Sequence, residues 1–205
     1  GSIDVNGTAN LDVVDVDGAA NFAADVTFAD GADIITASAG TSNVRIGVNA
    51  GNSIQSGGNF NVVVGEDAGT ALTTGDQNVA VGYQAGLAIT TGSEHTIVGH
   101  QAGKSITTAD ASTIVGFGAG FSLTTGADNT FLGEEAGFFT TTGSDNTYVG
   151  ANSGPNSNTA TGSNNTAIGS AAGAALTSGD NNVAIGCEAL DANTTTNNNT
   201  AVGTR

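Results

Sequence analysis

The chain has 205 residues, of which 38% are hydrophobic and only 11% are charged, and its formal net charge at pH 7 is −16. Because a polyanion repels phosphate groups, this charge argues against binding to nucleic acid and against attachment to anionic lipid. No apolar run is long enough to span a membrane, and the single cysteine, Cys187, excludes an internal disulfide. The 32 glycines occur beside one proline and 5% aromatic residues, which indicates neither collagen nor a conventional globular core.

Residues 1–42 alternate apolar and polar residues that lead into Asn-Gly or Asp-Gly pairs at positions 6–7, 17–18 and 30–31. Such pairs favour hairpin turns between short strands. The units that these pairs delimit are too short to enclose a core of their own. We therefore predict that 1–42 is a short-repeat β segment that winds together with other chains in a fibre.

From residue 43 to residue 205 the chain repeats one motif, which reads Asn, two variable residues, an aliphatic residue and Gly. The motif occurs ten times, and most of its glycines follow one another at a constant interval, as do Gly82, Gly99 and Gly116. Most copies are followed by Ala-Gly and then by a segment of the type Leu-Thr-Thr-Gly, as at positions 72–75. Repetition at a fixed short interval is typical of solenoids.

A 17-residue unit is too short for a helix pair or a propeller blade, and its glycine and β-branched residues disfavour helix. The repeat therefore predicts an all-β solenoid, a parallel β-roll of ten coils over 43–205, with two short strands and two turns in each coil. Coils that pair through their backbones rise about 4.8 Å each, so ten of them form a rod of roughly 50 Å.

Alternate residues of a strand face opposite sides, so the motif positions divide into two faces. The fourth position is always aliphatic, from Ile46 to Val202, and we expect it, together with the second position, to face the interior. The third position should then face outward, as a stripe that is almost free of charge. Because exposed apolar stripes usually mark interfaces, we predict a trimer interface at Val63, Ala80, Ile97, Ile114, Phe131, Tyr148, Ala167, Ala184 and Ala201.

The first motif position predicts a structural ladder of stacked amides. Its asparagines are Asn43, Asn61, Asn78, Asn129, Asn146, Asn165, Asn182 and Asn199. His95 and Ser112 replace Asn in two copies, and the only other histidine is His100. Two histidines without a carboxylate motif are weak grounds for a metal site, so we expect His95 to have a ladder or turn role.

Acidic residues recur just before the ladder, at Asp76, Glu94, Asp110, Asp128, Asp145 and Asp180. We expect a solvated acidic corner there, with Ca²⁺ binding as the minority alternative, because the Gly-Gly-x-Gly-x-Asp signature of calcium-binding repeats is missing. The adjacent threonines of each Thr-Thr pair would place only one side chain per coil outward. Structural turn packing is therefore favoured over an ice-binding array.

No motif for catalysis or cofactor binding is present: the chain has no nucleophile elbow, P-loop, His-Glu-x-x-His or paired-cysteine motif. Cys187 occupies a repeat position that elsewhere holds varied residues, so we interpret it as a tolerated substitution. The sequence therefore predicts no enzyme, no catalytic or metal-binding residue and no cofactor.

The strings at positions 165–169 (Asn-Thr-Ala-Ile-Gly), 182–186 (Asn-Val-Ala-Ile-Gly) and 199–203 (Asn-Thr-Ala-Val-Gly) resemble the head repeat of trimeric autotransporter adhesins. That resemblance implies a left-handed parallel β-roll in which three chains pack side by side, although the family's usual repeat is shorter. The longer repeat, with Ala-Leu-Asp-Ala-Asn-Thr-Thr at 189–195, is similar to repeats in the tail fibres of marine bacteriophages. The resemblance covers 43–205 well and 3–36 loosely.

These observations predict a homotrimeric fibrous adhesin or phage tail-fibre segment that attaches to a glycan or protein receptor on a host or other surface. We expect an extracellular location, on a virion tail fibre or a bacterial cell surface. Two alternatives are a purely structural fibre spacer and, more remotely, an ice-binding solenoid. The sequence does not identify the receptor-binding residues. Candidates for exposed contacts are Tyr83, Phe117, Phe121 and Phe138, for which burial between chains is an equal alternative.

Overall fold

The computed structural model describes residues 39–157 and 159–205, which belong to one compact unit spanning Ile35–Arg205. The predicted short-repeat segment 1–42 lies outside the described residues except for its last four. The described ranges contain no helical segment that could serve as a membrane span.

The described chain is a parallel β-solenoid with a 17-residue coil, as the repeat predicts. Each coil contributes one three-residue strand, and each strand pairs in parallel with the strand of the next coil, so that sequence order and sheet order are the same. The register joins equivalent motif positions, for example Ile97 with Ile114. The strands are β1 Val44–Ile46, β2 Val62–Val64, β3 Val79–Val81, β4 Thr96–Val98, β5 Thr113–Val115, β6 Thr130–Leu132, β7 Thr147–Val149, β8 Thr166–Ile168, β9 Val183–Ile185 and β10 Thr200–Val202.

The expectation of two strands per coil is wrong, because only one side of the coil forms a regular strand. The rest of each coil consists of turns whose backbone groups still bond to the neighbouring coil. Gly51 N–H donates to the Ala68 carbonyl at 2.9 Å, and Thr73 N–H donates to the Thr90 carbonyl at 2.9 Å. Stacking therefore satisfies turn backbone as well as strand backbone, which lets a narrow coil fold without a second sheet.

The strand faces are the reverse of those predicted. The third motif position lies inside its own coil: Val63, Ile97, Ile114 and Phe131 are all fully buried within the single chain. The predicted trimer interface is therefore wrong, since a side chain enclosed by its own coil is not available to another chain. The same correction holds for Ala80, Tyr148, Ala167 and Ala184, which are also buried, and for Ala201, which is half-buried in the last coil.

The second and fourth positions, predicted to form the core, face away from it. Ile46, Leu132 and Val202 are 56%, 47% and 73% exposed, and the other valines at the fourth position are half-buried. The physical reason lies in the first motif position, whose asparagine is buried and bonded inside the coil. Because residues two apart share a face, a buried first position places the third position inside and the second and fourth positions outside.

The narrow core lies between the strand and the Leu-Thr-Thr-Gly segment of each coil, and a large side chain on one of them is matched by a small side chain on the other. Where the strand supplies Phe131, the Leu-Thr-Thr-Gly segment of the same coil supplies the smaller Thr140, whereas Ala80 is paired in its coil with Ile89. The rings of Phe131 and Tyr148 stack along the core with centroids 5.1 Å apart. Burial raises the pKa of the Tyr148 phenol, which keeps that group neutral in the core.

Candidate interaction surfaces

The outer side of the sheet is an extended uncharged surface, which we call the outer face. It consists of the second and fourth positions of all ten strands, and every one of these residues is Val, Ile, Leu or Thr. Six strands carry Thr at the second position, whereas the fourth position is always aliphatic. Because the strands pair without a register shift, these side chains form two straight columns, spaced by about 4.8 Å along the solenoid.

The asparagine ladder is present, as the sequence predicts, and is buried except at Asn199 in the last coil, which is half-buried. In the coil of Asn78, the backbone N–H and the side-chain Nδ2 both donate to Oδ1 of Asn61, at 2.9 and 3.0 Å. The same Nδ2 also donates across its own coil to the Gly92 carbonyl at 2.9 Å. Each buried amide is therefore satisfied on both its oxygen and its nitrogen, so the ladder joins successive coils and closes each coil on itself. It is structural and is not exposed for binding.

His95 replaces asparagine in this ladder, and its ring reproduces two of the asparagine bonds, the one across its own coil and the one to the next coil. Its Nε2 lies 2.7 Å from the Ala109 carbonyl, and its Nδ1 accepts the backbone N–H of Ser112 at 3.2 Å. This pairing assigns the proton of the neutral ring to Nε2. The prediction of a ladder role for His95 is confirmed. Burial lowers the pKa of His95, against smaller opposing effects that include the charge of Asp110.

We expect His95→Asn to stabilise the protein at acid pH relative to the native chain. Because the folded state lowers the pKa of His95, the unfolded chain binds more protons below about pH 6.5, and the stability of the native chain falls there. Asparagine supplies the same acceptor and donor without titrating. In urea unfolding the two proteins should agree within about 1 kcal/mol at pH 7.5, and the advantage of the variant should grow at pH 5.

His100→Asn is the matched control, because it removes the exposed imidazole and leaves the ladder intact. A stability difference between His95→Asn and the native chain that stays constant from pH 7.5 to pH 5 would contradict the assignment of His95 as a neutral ladder member.

The acidic residues before the ladder do not form one continuous stack, because they are divided between two columns. In one column, Asp76, Asp110 and Asp180 alternate with serines and other uncharged residues. There the Asp110 carboxylate accepts a hydrogen bond from the backbone N–H of Ser93 at 2.8 Å. The Asp180 carboxylate likewise accepts a hydrogen bond from the backbone N–H of Ser163. The acids therefore cap backbone groups of the preceding coil. Within the described residues, no three His, Cys, Asp or Glu side chains come together as a metal site.

The Thr-Thr pairs have the predicted structural role. The first threonine of a pair bonds to the next coil, as in the donation from Thr73 Oγ1 to the Thr90 carbonyl at 2.9 Å. The second threonine, such as Thr74 or Thr91, is exposed. In the coils of Thr73–Thr74 and Thr90–Thr91, the second threonine of the pair is therefore the exposed one.

A second candidate surface gathers aromatic side chains from successive coils; we call it the aromatic flank. It consists of Tyr83, His100, Phe117, Phe121, Phe138, Phe139 and Lys104. Tyr83, His100 and Phe117 each follow the motif glycine of their coil, in three consecutive coils, and stack with centroids 5.0 and 5.1 Å apart. The three residues occupy the same position in successive repeats, and this predicts from the sequence that their side chains stack. All three side chains are exposed.

Cys187 lies in the same column as Tyr83, His100 and Phe117, four coils further along, and is exposed and unpaired. Comparison of the sequence with models of protein families, with curated proteins and with solved structures gives no match. The interpretation of these surfaces therefore depends on their geometry and on the resemblance of the repeats described above.

Proposed function

We propose that this chain is a segment of an extracellular attachment fibre in which three copies pack their outer faces together. The observation that carries the proposal is the outer face itself, a straight double column of exposed and half-buried β-branched and aliphatic side chains on a solenoid. Soluble monomers rarely expose a continuous apolar surface of this extent, and such surfaces usually mark interfaces. The proposal keeps the predicted trimer but moves its interface from the third motif position to the second and fourth.

Charge also favours the outer face as the contact between copies. The chain carries 19 acidic and only 3 basic residues besides its two histidines, yet none of the charged residues lies on the outer face. If two copies met through other sides, carboxylates would face carboxylates and repel. Contact through the outer face removes apolar surface from water while leaving the acidic corners in solvent.

The number of copies and the location follow from the resemblance to trimeric autotransporter adhesins and phage tail fibres. In those families, chains of related repeat form threefold rods on a bacterial surface or on a virion. A stiff threefold rod presents each surface feature three times, so weak contacts with a receptor combine into a strong one. A spacer that carries no receptor contact would have the same rod, and binding assays on the purified protein separate the two roles.

The proposal predicts the mass of the protein in solution. We expect light scattering to give about three times 19.8 kDa across a tenfold range of concentration. Because three copies each bury their outer face, the trimer should persist at low micromolar concentration. A mass of 19.8 kDa, that of a single chain, would contradict the proposal under these conditions.

Ice binding is the second candidate, and one observation favours it. In six strands the outward pair is Thr at the second position and an aliphatic residue at the fourth, so hydroxyl and methyl groups form a regular two-dimensional array. The Thr-Thr pairs themselves do not provide such an array. Ice and sister chains would compete for the same face, so a monomeric protein with thermal hysteresis would favour ice binding. A trimer without hysteresis would exclude it.

A further inference from the structure

We infer that the aromatic flank is a binding site for a neutral, linear polysaccharide that lies along the solenoid. The inference rests on the proposed attachment function, whose ligand class it names. Among the described residues, six phenylalanine or tyrosine side chains are not buried, and five of them belong to this flank. These five rings lie in four consecutive coils, whereas the repeat extends over ten coils. The repeat alone therefore does not account for their concentration.

The fold does not require these rings. In the column that holds Tyr83, His100 and Phe117, the coils on either side carry Glu66 and Glu134 at the same position. The backbone bonds between coils are the same with and without a ring: Gln101 N–H donates to the Tyr83 carbonyl at 2.8 Å, and Gln84 N–H donates to the Glu66 carbonyl at 2.9 Å. Exposed aromatic side chains that the core does not use are typical of binding surfaces.

Two columns of rings join into one surface at Gly118. A Cβ atom at this position would lie 3.2 Å from the Phe138 ring, so the missing side chain lets Phe138 lie close to the column of Phe117. Phe138 in turn stacks on Phe121 with centroids 4.8 Å apart, and Lys104 Nζ lies 5.3 Å from the Phe121 centroid. The result is a continuous apolar surface with one cation at its edge.

The polar groups beside the rings select the class of ligand. The amides of Gln84 and Gln101 are hydrogen-bonded to each other at 2.9 Å next to the stack, and Glu66, Glu134 and Glu135 border it. Amides and carboxylates are suited to bind hydroxyl groups, which both donate and accept. The net charge of −16 repels anionic polymers. A neutral sugar polymer offers apolar C–H groups, which pack against the exposed parts of the stacked rings, and hydroxyl groups, which bind the polar border.

The spacing of the rings indicates a polymer parallel to the solenoid axis. Successive rings of the first column are 5.0 and 5.1 Å apart, which is close to the rise per sugar of an extended β-linked chain. A ligand in this orientation meets one ring of the column in each of three successive coils, at Tyr83, His100 and Phe117. A second copy of the protein is a poorer occupant of this surface, since it would bring its own carboxylates against Glu66, Glu134 and Glu135.

Calorimetric titration with the hexasaccharides of cellulose, chitin and β-mannan tests the inference on the intact protein. We expect at least one of them to bind, and Phe117→Ser or Tyr83→Ser to weaken that binding about five- to tenfold. Phe60→Ser is the matched control, because Phe60 is exposed to a similar degree, 58% against 52% for Phe117, and lies outside the flank. It should leave the affinity unchanged.

The solution mass of the same samples distinguishes this inference from the proposed function. Failure of all three sugars to bind, or equal loss of binding in Phe60→Ser, would overturn the polysaccharide site. A Phe117→Ser variant that dissociates into monomers would also overturn it, since the flank would then belong to the contact between copies. A native protein that binds sugar as a monomer would instead refute the trimer and keep the site.

Discussion

Replacing Gly116 with alanine is expected to destabilise the fold by about 4 kcal/mol, a large part of the stability of an ordinary domain. Gly116 follows strand β5 with φ of +141°, a conformation that residues with a side chain rarely adopt. A Cβ atom there would overlap the carbonyl oxygen of Gly133 and would lie 2.6 Å from its carbonyl carbon. Neither group can rotate away, because both belong to the backbone of the next coil.

Gly203→Ala is the matched control for this substitution. Gly203 has φ of +140°, almost the same as Gly116, but no atom lies within 4 Å of the position of its Cβ. The control therefore carries the conformational cost alone, about 1–3 kcal/mol, without the collision between coils. The difference between the two variants isolates what the close stacking of coils requires of its motif glycines.

Urea unfolding followed by circular dichroism, at one protein concentration, measures both free energies of unfolding. We expect Gly116→Ala to lose about 2 kcal/mol more than Gly203→Ala, which is the usual cost of forcing an extra carbon into a packed region. Equal losses in the two variants would mean that the coils have room to separate at this corner, contrary to the contacts between successive motif glycines.

The repeat interval was sufficient to predict the architecture, because a regular 17-residue interval determines both coil length and register. Motif glycines, buried asparagines and Thr-Thr bonds recur along the solenoid. Each copy of the repeat therefore predicts the same coil structure as the others. The second strand was predicted in error, since it was inferred from the length of the repeat, which does not show whether the far side of the coil is strand or turn. Here the Thr73 hydroxyl bonds to backbone of the next coil in a turn.

The faces of the strand could not be assigned from hydrophobicity. Segments such as Val62–Val64 are apolar at all three positions, so they contain no alternation from which a face could be chosen. Two other features of the sequence do indicate which face is buried. The first is the asparagine at motif position one, which shares a face with position three. The second is size: Phe131 is matched by a small Thr140 in its coil, a correlation expected only of residues that pack in one core.

The sequence predicted part of the aromatic flank but not the outer face. Tyr83, Phe117, Phe121 and Phe138 were candidates for exposed contacts, and the structure places all of them on the aromatic flank, fully or partly exposed in the single chain. The junction of two aromatic columns was not predictable, because it depends on the space that Gly118 leaves for a ring from the next coil. The outer face was missed entirely, since its residues had been assigned to the core.

Replacing Leu132 with glutamate is expected to dissociate the assembly while the coil itself stays folded. Leu132 lies at the fourth position of β6 on the outer face and is 47% exposed in the single chain, so a carboxylate there remains in water when the chain is alone. In a threefold rod the same position brings three carboxylates together in a buried apolar contact. Each buried and unpaired charge costs about 3–5 kcal/mol, so the dissociation constant should rise by at least three orders of magnitude.

Thr125→Glu is the control, because Thr125 is exposed and lies outside the strands, and the substitution adds the same charge. Sedimentation equilibrium should find the Leu132→Glu protein as a 19.8 kDa monomer with native circular dichroism, and the Thr125→Glu protein as a trimer. The converse substitution, Ile114→Glu, should unfold the chain, since Ile114 is fully buried in its own coil. If Leu132→Glu stays trimeric, the outer face is not the contact, and the copies must meet through a surface that tolerates their acidic charge.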